Sequence, residues 1–176
     1  MHRFLIVNRE VSCLTLLMVG IFSVLIAVTD QVIKYFIYEN LYPSGSVTVI
    51  DNLFALIYTE NRGAAFGIFQ NSTVIFSIIT GVMIGIFIYL LVKKKFTGKL
   101  FTVAVTMIIG GGIGNLIDRI FRGFVIDYLA LSFFPPVCNF ADYCITIGAA
   151  LFVISIMMSP EFKKKDEADK NDEKDI

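Results

Sequence analysis

The chemically interesting residues stand in short polar runs against an apolar background. They are Asp30-Gln-Val-Ile-Lys34, Asn61-Arg-Gly63, Gly114-Asn-Leu-Ile-Asp-Arg119, Val125-Ile-Asp127 and Asn139-Phe-Ala-Asp142. A charged side chain at the centre of a membrane helix costs roughly 2.5–3.5 kcal/mol even on lenient insertion scales. Aspartates, a lysine and an arginine kept in such surroundings point to a task. The single histidine is His2, so Ser-His, Cys-His and His-ligated zinc chemistry find no partner in these runs. Cys13, Cys138 and Cys144 form an odd set without zinc spacing, and no carboxylate spacing is rich enough in ligands for a metal; no metal or cofactor is expected. A Ser–Lys pair built on Lys34 would have to draw on Ser44, Ser46 or Ser132, none of which lies in a supporting motif.

Two aspartates remain as the simplest engine. Held together in a poorly solvated place they cannot both ionise, so one keeps a proton and the other carries the charge. The charged member takes a proton from a water molecule as that water attacks an amide carbonyl, and the protonated member supports the carbonyl oxygen. Asp127 and Asp142 suit these roles. Asp142 opens an apolar run, where a helix start favours an anion, whereas Asp118 beside Arg119 reads as already neutralised.

The elements that must carry these residues are legible from hydropathy. The chain has 176 residues, 56% of them hydrophobic, with a mean hydropathy of +0.76; ordinary soluble domains lie nearer 45–50% apolar. Four apolar windows stand out, about 11–28, 73–92, 100–117 and 141–158, each long enough for a helix to cross a ~30 Å hydrocarbon core. Ser46–Thr59 is rich in β-branched and aromatic residues around Asp51-Asn52 and predicts a hairpin. The apolar stretch 122–136 is expected to lie in the membrane interface between the third and fourth helices. The fold class is therefore an all-α membrane protein of four transmembrane helices, with a small extracytoplasmic hairpin or cradle and that interfacial segment. Residues 1–160 form one domain and 161–176 a charged tail.

Eleven basic residues fall before window one, between windows two and three, or after window four, against four on the other side. This asymmetry places both termini in the cytoplasm. The first window leads into Asp30 rather than a small-residue cleavage site, so it is expected to persist as a helix. No basic face interleaves with aromatics, which excludes nucleic acid as a partner.

Each polar residue also has a purely structural role open to it. Asn139 and Asp142 have the spacing of a capping box. Asp30 and Lys34, four apart, form a helix-face pair, and Asp118 and Arg119 a local one. Asn115 with its preceding glycines suits helix packing with one interhelical hydrogen bond. Asn61 suits a turn, and Cys138 and Cys144 suit membrane packing. Two other functions are compatible with membrane carboxylates: an ion-coupled transporter, which wants them near the bilayer midplane, and a non-catalytic binding scaffold.

The five runs, in this order and at these separations, resemble the signature blocks of the lipoprotein signal peptidase (signal peptidase II) family. The resemblance covers nearly all of the chain from Asp30 to Met158. It implies an aspartic endopeptidase of the bacterial cytoplasmic membrane that acts on prolipoproteins whose cysteine carries diacylglycerol and cuts before that cysteine. It implies Asp127 and Asp142 as the catalytic pair. Asn61, Asn115, Arg119 and Asn139 would line the substrate site, Asp30 and Lys34 the outer end of the first helix, and the Gly63 turn a lid. It further implies contact with membrane lipid and inhibition by globomycin-type cyclic peptides. One copy holds every group needed, so a monomer suffices. The small residues at Gly110–Gly114 and Ala64–Ala65 are expected to leave room for substrate backbone. Arg62 and Cys138 depart from the family pattern, where a small polar residue and an aromatic are common.

Overall fold

The structure, a computed structural model, describes residues 13–63, 73–93 and 98–159. Its elements are α1 (Cys13–Leu41), β1 (Ser46–Ile50), β2 (Phe54–Asn61), α2 (Thr73–Val92), α3 (Lys99–Phe121), β3 (Val125–Leu131), β4 (Phe134–Cys138) and α4 (Phe140–Met157). All four helices are long and apolar enough to cross a membrane. The expected tail 161–176 and the residues Ala64–Gly67 lie outside the described residues.

α3 is the central helix, and α1, α2 and α4 pack around it. α1 contacts its neighbours along one narrow stripe, Val19, Ser23, Ala27, Asp30, Lys34, Ile37 and Leu41, whose steps of three or four trace one face. Its outer third therefore differs from the expected end near residue 28. The helix runs on through Asp30 and Lys34 because their charges turn inward along that stripe rather than toward lipid. α2, apolar on every side, buries only Leu91 among its side chains, which is the composition of a helix solvated by acyl chains.

Contrary to the expectation from sequence, the glycines of α3 leave no room for substrate backbone; neighbouring helices fill the space. A Cβ at Gly111 would lie 2.5 Å from the Ala141 carbonyl oxygen, and one at Gly114 would lie 2.7 Å from an Asp30 carboxylate oxygen. Small residues at such crossings let helix backbones approach, the usual basis of packing where lipid removes the hydrophobic drive.

Outside the helices lies a four-stranded antiparallel sheet in the order β1-β2-β3-β4. The predicted hairpin is present as β1 and β2, with Asn52 at φ 57° in its turn, a conformation that asparagine tolerates well. The stretch 122–136, expected in the membrane interface, is built largely as strands β3 and β4. Its β-branched and aromatic residues pair with β2 and return as β4, which satisfies backbone groups that an irregular interfacial segment would leave open. Pro135 and Pro136 fall on the edge strand β4, where a missing N–H disrupts no ladder. Register sets Thr59 opposite Asp127 and Asn61 opposite Val125. Ile126 and Tyr128 project to one face, where they join Ile37, Leu41 and Tyr58 in a buried cluster; Asp127, between them, projects to the other.

The close approach at Gly111 yields the first prediction. Gly111→Ala should cost about 1–3 kcal/mol through overpacking, while Gly81→Ala, with nothing within 4 Å of the new methyl, should be neutral or mildly stabilising. Thermal unfolding in detergent reads the difference; equal midpoints would contradict this packing.

Candidate active site

The site is built on the first turn of α4. Asn139 is its N-cap, at φ −130° and ψ 177°. The Asp142 N–H donates to Asn139 Oδ1 at 2.9 Å, and the Asn139 N–H donates to Asp142 Oδ2 at 3.1 Å. This capping box is complete. The two N–H groups between them are also held. That of Phe140 donates to the Tyr128 hydroxyl oxygen at 3.2 Å, and that of Ala141 to Asp30 Oδ1 at 3.1 Å. A buried helix start ordinarily leaves such donors unpaired; here α1 and β3 supply the acceptors, and Asp142 is fixed in place.

Capping leaves Asp142 Oδ1 free for a second partner, and it accepts from Asn115 Nδ2 at 2.8 Å. The structural role and the proximity to Asp127 thus coexist in one residue. On β3, Asp127 Oδ1 accepts from Asn139 Nδ2 at 2.6 Å and Oδ2 from Asn61 Nδ2 at 2.8 Å. Each of the four carboxylate oxygens takes one N–H donor. Asn139 touches both acids, Asp127 through its side chain and Asp142 through its backbone.

Burial and the neighbouring charge of Asp142 push the Asp127 carboxyl up to about 7, against the smaller opposing effects of Asn61, Asn139 and Lys34. Desolvation disfavours the charged form, and a second carboxylate adds to it. Cys138, one residue before the cap, has its thiol pushed up by burial and by the charges of Asp142 and Asp127. It is therefore held in the neutral form and offers no thiolate nucleophile.

Behind the pair lies a second polar cluster. The Lys34 ammonium donates to Asp30 Oδ2 at 2.8 Å, Asp118 Oδ2 at 2.9 Å and Asn115 Oδ1 at 3.0 Å. All three of its protons are engaged, and Lys34, Asp30 and Asp118 have no exposed side-chain surface. Asp118 Oδ2 also accepts from the Ile126 N–H at 3.1 Å, and Oδ1 from Gln31 Nε2 at 3.1 Å and from Arg122. The expected Asp118–Arg119 pair is not formed. Adjacent helix positions point about 100° apart, whereas Arg122, one turn on, shares the face of Asp118. Asp30 and Lys34, expected at the substrate site, have no exposed side-chain surface, and Asp30 meets the first turn of α4 at the Ala141 N–H. No serine lies beside Lys34 among the described residues: Ser132 Oγ donates instead to the Asn52 carbonyl at 2.6 Å.

Arg119 is half-buried, close enough to Asp142, Asp127 and Asp118 to feel their charges, and its guanidinium lies 5.8 Å from the Phe76 ring centre. Asn61 is more than a turn residue. Its Oδ1 accepts the Gly63 N–H at 3.1 Å while its Nδ2 holds Asp127, which ties the turn at Gly63 to the site. Gln31, Arg122 and Tyr128 carry contacts that the sequence analysis assigned no role. The spacing of four between Asp118 and Arg122 was the available signal for one of them; the other two depend on tertiary contacts.

Four helices long and apolar enough to cross a membrane, with two carboxyl groups brought together at one end, define a multi-pass membrane protein. The model of the family Signal peptidase (SPase) II matches residues 22–158. The chain is 46% identical over 122 residues to the "Lipoprotein signal peptidase" of Caldanaerobacter subterraneus, covering 69% of this chain and 83% of that one. It is 40% identical over 137 residues to the "Lipoprotein signal peptidase" of Halothermothrix orenii, covering 78% and 93%. Two solved structures, both described as a bacterial membrane enzyme determined in meso, superpose with TM-scores of 0.73 and 0.72 at 30% identity. They cover 80% and 81% of this chain, and 87% and 94% of their own. The chain belongs to the signal peptidase II family, a family of aspartic peptidases.

The cluster behind the pair carries its own prediction. Asp118→Asn leaves Arg122 without its carboxylate and Lys34 with one anion instead of two, and should destabilise by roughly 3 kcal/mol, the scale of a broken buried ion pair. Thermal unfolding in detergent measures it; a variant as stable as the parent would show that Asp118 is not the counter-ion described.

Proposed function

We propose that this protein removes the signal peptide from prolipoproteins, with Asp127 and Asp142 as the catalytic pair. The supporting observation is the bridge through Asn139, which brings both carboxyl groups onto one residue while burial raises the proton affinity of Asp127. Asp127 keeps its proton and supports the substrate carbonyl oxygen. Asp142, ionised at the helix start, takes a proton from the attacking water. The tetrahedral intermediate then collapses, and the proton gained by Asp142 passes to the departing amine. The half-buried Arg119 supplies a positive field that stabilises the single negative charge left on the pair. Asn61, Asn115 and Asn139 hold the acids at fixed angles.

The substrate class follows from relatives and depth together. A diacylglyceryl cysteine partitions into the outer leaflet at about 0.8 kcal/mol per buried methylene. It would bring the bond preceding it to a site at the outer ends of α3 and α4. Basic residues in the alternate loops support cytoplasmic termini and an extracytoplasmic site. A single copy carries both acids and all three asparagines, which supports action as a monomer surrounded by lipid. Globomycin-type cyclic peptides, implied by the family resemblance, would inhibit by blocking access to the pair.

Asp127→Asn and Asp142→Asn should each lower cleavage of a diacylglyceryl prolipoprotein by about 10³-fold or more, with the folded protein still inserted. Gel-shift assay of the lipidated substrate, beside its unlipidated control, reads the outcome. Near-parental turnover by both variants would refute the assignment, and equal cleavage of the unlipidated control would refute the substrate class.

A further inference from the structure

We infer that Lys34 is a positioning residue of the aspartate pair, its ammonium fixing which end of the Asn115 side-chain amide faces Asp142. This rests on Asp127 and Asp142 being the catalytic pair and goes beyond it by naming what orients them. An asparagine amide has two nearly isosteric orientations, and only its partners choose between them. Here the choice is forced. Asn115 Oδ1 receives Lys34 Nζ at 3.0 Å and Asn139 Nδ2 at 3.1 Å, and Asn115 Nδ2 donates to Asp142 Oδ1 at 2.8 Å. Turned over, the amide would set its NH2 against two donors and its oxygen against a carboxylate.

Lysine suits this task because an ammonium only donates, so whatever it faces must accept. Two of its protons are committed to Asp30 and Asp118, which hold the nitrogen in place from α1 and α3 and leave the third aimed at Asn115. The consequence spreads to the second acid. The Asp142 N–H already claims Asn139 Oδ1, so Asn139 Nδ2 must serve both Asn115 Oδ1 and Asp127 Oδ1. A flipped Asn115 would deprive that NH2 of one acceptor and loosen its hold on Asp127. One fully buried cation, touching neither carboxylate, thus sets the donor presented to each.

A double-mutant cycle on kcat and KM for the lipidated substrate tests this. Lys34→Met should lower kcat on the order of 10- to 100-fold, as loss of orienting partners does elsewhere, with KM within about threefold. Asn115→Ala should act similarly. The double variant should be no worse than Asn115→Ala alone, because the ammonium acts through that amide. Since Lys34→Met strips two buried carboxylates of their cation, the cycle is run in parallel with Asp30→Asn/Lys34→Met, which removes one charge of each sign and keeps an oxygen for the Ala141 N–H. Multiplicative losses in the cycle, or parental kcat without Lys34, would overturn the inference. Asp127→Asn is the control on the underlying function. If it is inert while the losses multiply, only the role of Lys34 fails; if it cleaves at the parental rate, the catalytic pair itself is wrong.

Discussion

Two carboxyl groups cannot share a dry pocket unless something other than water meets their oxygens, and this constraint shapes the outer half of the molecule. Three asparagine amides and one backbone N–H meet the four oxygens of Asp127 and Asp142. Neutral donors stabilise a negative charge without cancelling it, so the pair can hold one proton and one charge instead of collapsing into ion pairs. A lysine placed directly against either acid would have bound that charge and silenced the base.

Lys34 and Arg122 are accordingly kept one layer away, and the half-buried Arg119 makes no ion pair with either acid among the described residues. Lys34 and Arg122 are matched against Asp30 and Asp118 in a cluster beneath α4. Burying ions in hydrocarbon is costly unless pairing and hydrogen bonding are complete, and no buried side-chain polar atom among the described residues lacks a partner. The same cluster grips the start of α4 through Asp30 and the start of β3 through the Ile126 N–H. Charge neutralisation and placement of the two acids are one structure.

Much of this was legible in the sequence. Helix length and hydropathy recover α2 to the residue, and β-branched composition recovers the β1–β2 hairpin. The runs around Asp127 and Asp142, free of histidine and metal-ligand patterns, point to two acids that the structure joins through Asn139. Three features lay beyond such rules. The extension of α1 to Leu41 depends on Lys34 finding Asp118 and Asn115 on α3 and on Asp30 finding the Ala141 N–H on α4, residues that a hydropathy window counts only as a penalty. That the interfacial stretch forms strands was not legible because β2, the strand that pairs with β3, lies some seventy residues earlier in the chain. The glycines of α3 read as space for substrate because the sequence does not say which helix will fill it. In each case the deciding contact is long-range in sequence, and local composition is silent about it.

The central claim is that the pair of Asp127 and Asp142 holds on to one proton up to near-neutral pH, well above the ordinary carboxylate range. Infrared titration of the detergent-solubilised protein, with the carboxyl band assigned by its loss in Asp127→Asn, counts that proton directly. The folded-state affinity of Asp127 is raised, so its protonated band should persist above the ordinary carboxylate range and disappear as pH rises through about 7. A band already gone by pH ~5, as for unperturbed carboxylates, would mean that both acids are ionised at neutral pH and would contradict the account.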